Sequence, residues 1–275
     1  RWKGAPAMLN LLRMDLYRMR KGKAAYICLG IILATITLVY FLLFLMLTPT
    51  GQAAASRLGM MDFVEMEEAK ALFREINLLL VFRQSNMDGG FFALVLTIYF
   101  TIFVCADFKN GFIKNIMSVH VNRWKYIGSK ILSFAILDII YLAASYLFTF
   151  LVNLLMGGNI PVTGFSSVLF FLAQAWVLTM AMLALVLLVC MLTRSIAAGI
   201  LAAVLVSSGV IVTLLNALLG LFHVNGWLKY TLYFSLQDAP EVYQSPADLA
   251  GFAVGIVFLI VYMVIAGTAL SKKDI

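Results

Sequence analysis

Charge is what this chain has least of. Asp, Glu, Lys and Arg make up 12% of its 275 residues, against about 25% in a soluble domain. With 63% hydrophobic residues, it cannot cover a water-facing surface, which excludes an ordinary soluble domain. Histidine is almost missing: His120 and His223 fall in segments expected on opposite sides of a membrane, so no Ser–His or Cys–His pair can assemble. The three cysteines, Cys28, Cys105 and Cys190, sit in or at the ends of apolar runs without CxxC spacing, which argues against a disulfide framework or a zinc site. There is no HExxH, and Gly164-Phe165-Ser166 lacks the rest of an intramembrane serine-protease site. There is no GxxxxGK[ST] either; Gly128-Ser129-Lys130 lacks the loop and the strand. Fourteen methionines are scattered through apolar runs, where Met fills gaps rather than binding metal.

What the chain has is length of apolar sequence. Six runs reach or approach the roughly 20 residues a membrane helix needs: 24–47, 91–106 (extended by 87–90), 131–156, 165–192, 196–222 and 249–270. The expected fold is all-α, a single domain over 8–275 with six spans. The first seven residues do not match the pattern of the remaining chain; a natural start at Met8 is expected, with 1–7 an artificial addition, and no cleavable signal peptide. With both termini inside, the inner segments carry fifteen Lys and Arg against three acids, and the outer segments five against nine. That asymmetry predicts both ends in the cytoplasm. It also accounts for the net charge of +7 without a basic face for nucleic acid.

Three segments outside the spans carry pattern. Residues 8–23 place Met8, Leu9, Leu12, Leu16 and Met19 on one stripe, with Arg13 and Arg20 flanking it and Arg18 pointing away, which predicts an amphipathic helix in the interface with Arg13, Arg18, Arg20 and Lys21 towards anionic lipid. In the long outer loop, 65–82 repeats apolar residues at three-four spacing and predicts an outer helix. The last outer loop is aromatic, and its WLKYTLYF stretch (227–234) is too short to span, so it should lie at or dip into the outer interface.

The inner loop 105–130 holds five of the twenty Lys and Arg against one acid, Asp107. Read as a helix, 112–120 puts Phe112, Ile113, Ile116 and Met117 on one side and Lys114, Asn115 and Ser118 on the other, a shape that fits a groove on a partner protein. Within the third span, Asp138 lies eight residues past Lys130, about 12 Å along a helix. A carboxylate there costs roughly 2.5–3.5 kcal/mol and is a functional candidate by default. Tyr141 and Ser145 share its face, and Ser208 and Asn216 share a face of the fifth span. These faces are expected to line a central path or to make polar contacts between helices. Gly251-xxx-Gly255 predicts close helix packing within the subunit.

Asp107, Gly111, Lys114, Ser118, Val119, Arg123 and Lys130 resemble, in order and spacing, the loop after the second span of type-2 ABC exporter permeases; His120 stands where a proline is common there. The basic start LLRMDLYRMRKGK, the ending LSKKDI and the count of six spans are similar too, most of all to bacterial phenol-soluble-modulin exporters and lantibiotic self-protection permeases. The resemblance implies a coupling helix over 108–123 seated in a separate ABC ATPase subunit, with Asp107, Gly111, Phe112, Ile113, Lys114, Ile116, Met117 and Arg123 as coupling residues. It implies an interfacial helix beside it, a second permease copy or paralogue, no cofactor in this chain, and ATP and Mg used by the partner. It further implies a bacterial plasma-membrane location and an amphipathic peptide cargo. The alternatives are a motor-independent sensor or channel-like protein and, less well supported, an intramembrane hydrolase.

Overall fold

A computed structural model describes residues 7–47, 49–57, 76–118, 122–158, 160–222 and 226–272. Among these the chain is helical with no strand. The helices are α1 (Ala7–Lys21), α2 (Lys23–Leu47), α3 (Pro49–Arg57), α4 (Leu78–Asn86), α5 (Phe91–Lys109), α6 (Phe112–Ser118), α7 (Arg123–Leu155), α8 (Phe165–Thr193), α9 (Ile196–Ser207), α10 (Val210–Gly220), α11 (Leu232–Gln237) and α12 (Ala250–Lys272). Among the described residues, five helical stretches are long and apolar enough to cross a membrane, and six if the bent pair α9–α10 counts as one. The protein is therefore an all-α membrane protein of the expected architecture.

The central element is α8. It is apolar all round, as a helix surrounded by others must be, and Ala175, Leu178, Leu183, Leu187 and Cys190 are fully enclosed. Around it pack α5, α7, α9, α11 and, most extensively, α12. The α12 contact is close because Gly251 and Gly255 lack side chains: a Cβ on Gly255 would lie 2.7 Å from Val177 Cγ1, and one on Gly251 would strike Gln174. The glycine pair thus serves packing within the subunit, as expected. On the other flank Phe134 of α7 meets Tyr99, Phe100 and Phe103 of α5 at ring-centroid distances of 5.3, 4.6 and 5.6 Å.

One expectation is corrected. The fifth span is not one helix. It breaks at Ser208–Gly209, and α9 and α10 meet at a 48° bend. Gly209 has φ +65, and the Tyr233 ring fills the place a Cβ would need, so both the backbone and the neighbour demand glycine. Met87 and the 3-10 turn Asp88–Gly90, with Gly89 and Gly90 at φ 71° and 70°, join α4 and α5 into one apolar stretch, Leu78–Lys109, long enough to cross a membrane. Of the outer-loop helix expected over 65–82, residues 65–75 lie outside the described residues, and 78–82 fall in α4. α4 is packed into the bundle, with Leu78, Leu79, Val81 and Phe82 buried against α2 and α7. Asn77 caps it, accepting from Leu80 N at 2.7 Å and donating to Glu241 at 3.1 Å. The WLKYTLYF stretch forms a 3-10 turn at Leu228–Tyr230 and the start of α11, with Leu228, Leu232 and Leu236 turned inward.

Candidate functional site

Contacts between side chains gather the basic segments at one end of the bundle, where α1, the C-terminal end of α5, α6 and the start of α7 meet. The short α1 carries Leu11, Leu12 and Met19 on its buried side, and Asp15 stands on that same side. On α5, Asp107 is within a turn of the C-terminus, and on α7 Lys130 is two turns from the N-terminus. All three charged side chains are fully enclosed.

They are enclosed together. Lys130 Nζ lies 2.6 Å from Asp15 Oδ1 and 2.7 Å from Asp107 Oδ2, bridging the two carboxylates. Arg18 closes the group, with Nη1 2.8 Å from Asp107 Oδ1, off the hydrogen-bonding direction, and 3.5 Å from Asp15. The Tyr126 hydroxyl donates to Asp107 Oδ2 at 2.9 Å. Aromatic faces complete the shell: the Arg18 guanidinium lies 4.6 Å from the Phe103 ring and 5.1 Å from Phe112, and Lys130 Nζ lies 4.7 Å from Phe103. Two acids and two bases sum to zero charge, the condition under which buried ions are tolerated. Desolvation nevertheless outweighs the pull of Lys130 at Asp15 and pushes its carboxyl above the ordinary value.

The group ties three helices beside a fourth. Asn110 and Gly111 turn the chain out of α5, with Asn110 N donating to Ala106 O at 3.0 Å and Gly111 at φ +65. α6 then runs from Phe112, whose ring lies against Arg18. Here an expectation is corrected. Ile113 and Ile116 do not wait for a partner's groove: they are buried in this chain's own core, with Phe112 packed against it. The amphipathic pattern is satisfied within the subunit, and among the described side chains of α6 it is Lys114 that faces outward. The side chains of Asn115, Met117 and Ser118, and all of Val119 and His120, lie outside the described residues.

A second correction concerns Arg123. It does not belong to α6 but opens α7, and its Nη1 donates to Leu270 O and Ser271 O at 2.7 Å each, satisfying the last carbonyls of α12. Of the other interfacial residues, Arg13, Arg20 and Lys21 are exposed on α1, whereas Arg18 is turned into the ion group.

The expected path residues are not brought together on one surface. Asp138 is fully enclosed against α8 and accepts from Thr179 Oγ1 at 2.5 Å. Tyr141 donates to Ala25 O of α2 at 2.5 Å, and Ser145 bonds back to Tyr141 O. Ser208 donates to Val204 O at 2.6 Å in the break between α9 and α10, and Asn216 is half-buried on α10. Sequence reasoning missed Asp15. Its signal is its position: an acid at the spacing of Leu12 and Met19, on the stripe that should be apolar.

Among the described residues no cluster of His, Cys, Asp and Glu could hold a metal ion. No curated protein matches this chain. A family model described as "ABC-2 family transporter protein" matches residues 11–212, which take in most of α1, the ion group, α6 and the first half of the broken span. That match covers well over half of the sequence: the chain belongs to the ABC-2 transporter family and is a membrane-spanning permease subunit that works with a separate ABC ATPase.

Proposed function

We propose that this permease exports a hydrophobic or amphipathic cargo, an amphipathic peptide, across a bacterial plasma membrane with its basic end in the cytoplasm. The observation that carries the mechanism is the enclosed group of Asp15, Arg18, Asp107 and Lys130, because it fastens α1, α5 and α7 together at the root of α6. In this reading α6 meets the ATPase through its outward side, with Lys114 and Lys109 exposed there. The ATPase binds ATP and Mg, and two permeases, identical or paralogous, work with two ATPases. Closure of the ATPases moves α6; the ion group passes that displacement to three helices as one body, and the permeases rock to open outward. The scarcity of polar side chains facing away from the bundle supports an apolar cargo that enters sideways from the inner leaflet.

Lys114→Glu is the direct test. In vesicles holding the permease with its ATPase, the variant should fold normally, lose ATPase co-purification or coupling, and lose cargo-stimulated hydrolysis. Undiminished stimulation would remove α6 from the contact. Absence of stimulation by any amphipathic peptide in the wild-type complex would remove the cargo assignment.

A further inference from the structure

A second feature lies at the basic end. Between α1, α2 and α7 lies a cavity of about 370 Å³, walled by Leu16 and Met19 of α1, Leu29 of α2, and Leu137 and Ile140 of α7, with Arg20 at its edge. Among the described residues, Arg20 is its only charged lining residue. The size falls in the range of roughly 300–1,000 Å³ typical of small-molecule sites. On α7 it spans little more than one turn, Ile136 to Tyr141, and Ile140 lies ten residues beyond Lys130, so about 15 Å further into the span. Ile140 and Tyr26 are both more than half exposed, so the cavity opens sideways rather than into the bundle.

The two ends differ in chemistry. The deep end is apolar, lined by Ile136, Leu137, Ile140 and the Tyr141 ring. The shallow end is cationic: Arg20, Lys21 and Lys23 are exposed around the α1–α2 turn, and the one acid of α1, Asp15, is enclosed against Lys130 and gives them no counter-charge at the surface. The turn itself is held in shape, since Gly22 N donates to Arg18 O at 2.8 Å and the Tyr26 hydroxyl donates to Arg20 O at 2.9 Å. An apolar slot that opens to lipid, with cations at headgroup depth, fits one occupant.

We propose that this slot binds one acyl chain of an anionic phospholipid, with the headgroup phosphate held at Arg20 and Lys23. The lipid is a standing part of the subunit, filling the gap between α1 and α7, and not the cargo. The choice of the anionic leaflet rests on the reading that the basic end is cytoplasmic. Lipid binding to solubilised protein does not depend on orientation, so the two can fail separately.

The test is retention of lipid by the detergent-solubilised permease, read by native mass spectrometry after exchange against an equimolar mixture of phosphatidylglycerol and phosphatidylcholine. The wild type should keep one phosphatidylglycerol in preference. Arg20→Glu, at an exposed position, should lower that preference by about fivefold or more, the equivalent of a cation lost beside an anionic group. Ile140→Trp, which fills the slot from its exposed rim, should abolish retention of either lipid while leaving the melting profile unchanged. Equal retention of the two lipids, or retention unchanged by both variants, would overturn the proposal.

Discussion

Lys130→Met puts the enclosed ion group to its sharpest test. Lys130 bridges Asp15 at 2.6 Å and Asp107 at 2.7 Å with no exposure of any of the three side chains. Removing it changes the group from neutral to a net single negative charge, with only the partly exposed Arg18 left to balance two buried carboxylates. Breaking a buried pair by deleting one partner costs about 3–5 kcal/mol, most of it the penalty of the uncompensated charge. Asp15→Asn alone should cost a comparable amount with the opposite imbalance. The double variant Asp15→Asn/Lys130→Met restores neutrality and keeps the Arg18–Asp107 contact and the Tyr126 hydrogen bond. Its cost should fall short of the sum of the single costs by about 2–3 kcal/mol, the size of coupling seen between directly interacting residues. The measurement is a double-mutant cycle of unfolding free energies in one detergent or bilayer system at pH 7. If the single costs add to within about 0.5 kcal/mol, the four charges do not act as a unit and the transmission mechanism loses its basis.

Four further outcomes rest on the same geometry. Because burial raises the Asp15 carboxyl above its ordinary value of 3.8, the folded chain holds that proton more tightly than the unfolded chain; the term adds stability as pH falls through the raised value and is complete below 3.8. Melting curves of wild type and Asp15→Asn should therefore diverge in the wild type's favour as pH is lowered from 7 towards 4, and a constant or shrinking difference contradicts that assignment. Gly209→Ala should destabilise by about 1–3 kcal/mol from its left-handed backbone alone, with the Tyr233 ring adding a steric cost; a melting temperature equal to wild type would mean the bend is not required. Ile116→Asp should cost on the order of 3 kcal/mol and reduce the folded yield, whereas Lys114→Glu should leave the melting temperature unchanged, so a thermal shift assay separates the inward from the outward side of α6. Asp138→Asn keeps an acceptor for Thr179, so it should melt within about 1 kcal/mol of wild type, and intact export together with intact ATP turnover would take Asp138 out of the mechanism.

Much of the architecture is legible because membrane helices announce themselves by length. The runs at 24–47, 165–192 and 249–270 match α2, α8 and α12 closely, since nothing but an internally hydrogen-bonded helix survives such a stretch in lipid. The same reasoning hides the break in the fifth span. Ser207-Ser208-Gly209 is a mild interruption in hydropathy, and what makes it a bend is the Tyr233 ring arriving from α11, more than twenty residues away. The site is half legible. Asp107, Arg18 and Lys130 can be picked out as charges at the edges of spans. That they meet, and that Asp15 joins them, depends on how α1 rolls onto α7, which no local periodicity records. The α6 face misleads for a related reason: amphipathicity reports that a helix has an apolar side to bury, not whether the burial occurs within its own chain or against another.

Ile113 and Ile116 anchor α6 in the core, Phe112 lies under the Arg18 guanidinium, and Arg123 clips the start of α7 to the end of α12. In mechanical terms α6 is a foot bonded to the frame, not a hinged lever. A load applied to its outer surface has no slack to take up and cannot be absorbed by a local flip of the loop. In the proposed cycle it would be carried as a displacement of the whole inner end, which would make the stiffness of the three buried charges and Arg18, rather than the mobility of a loop, the quantity that sets how far a push travels.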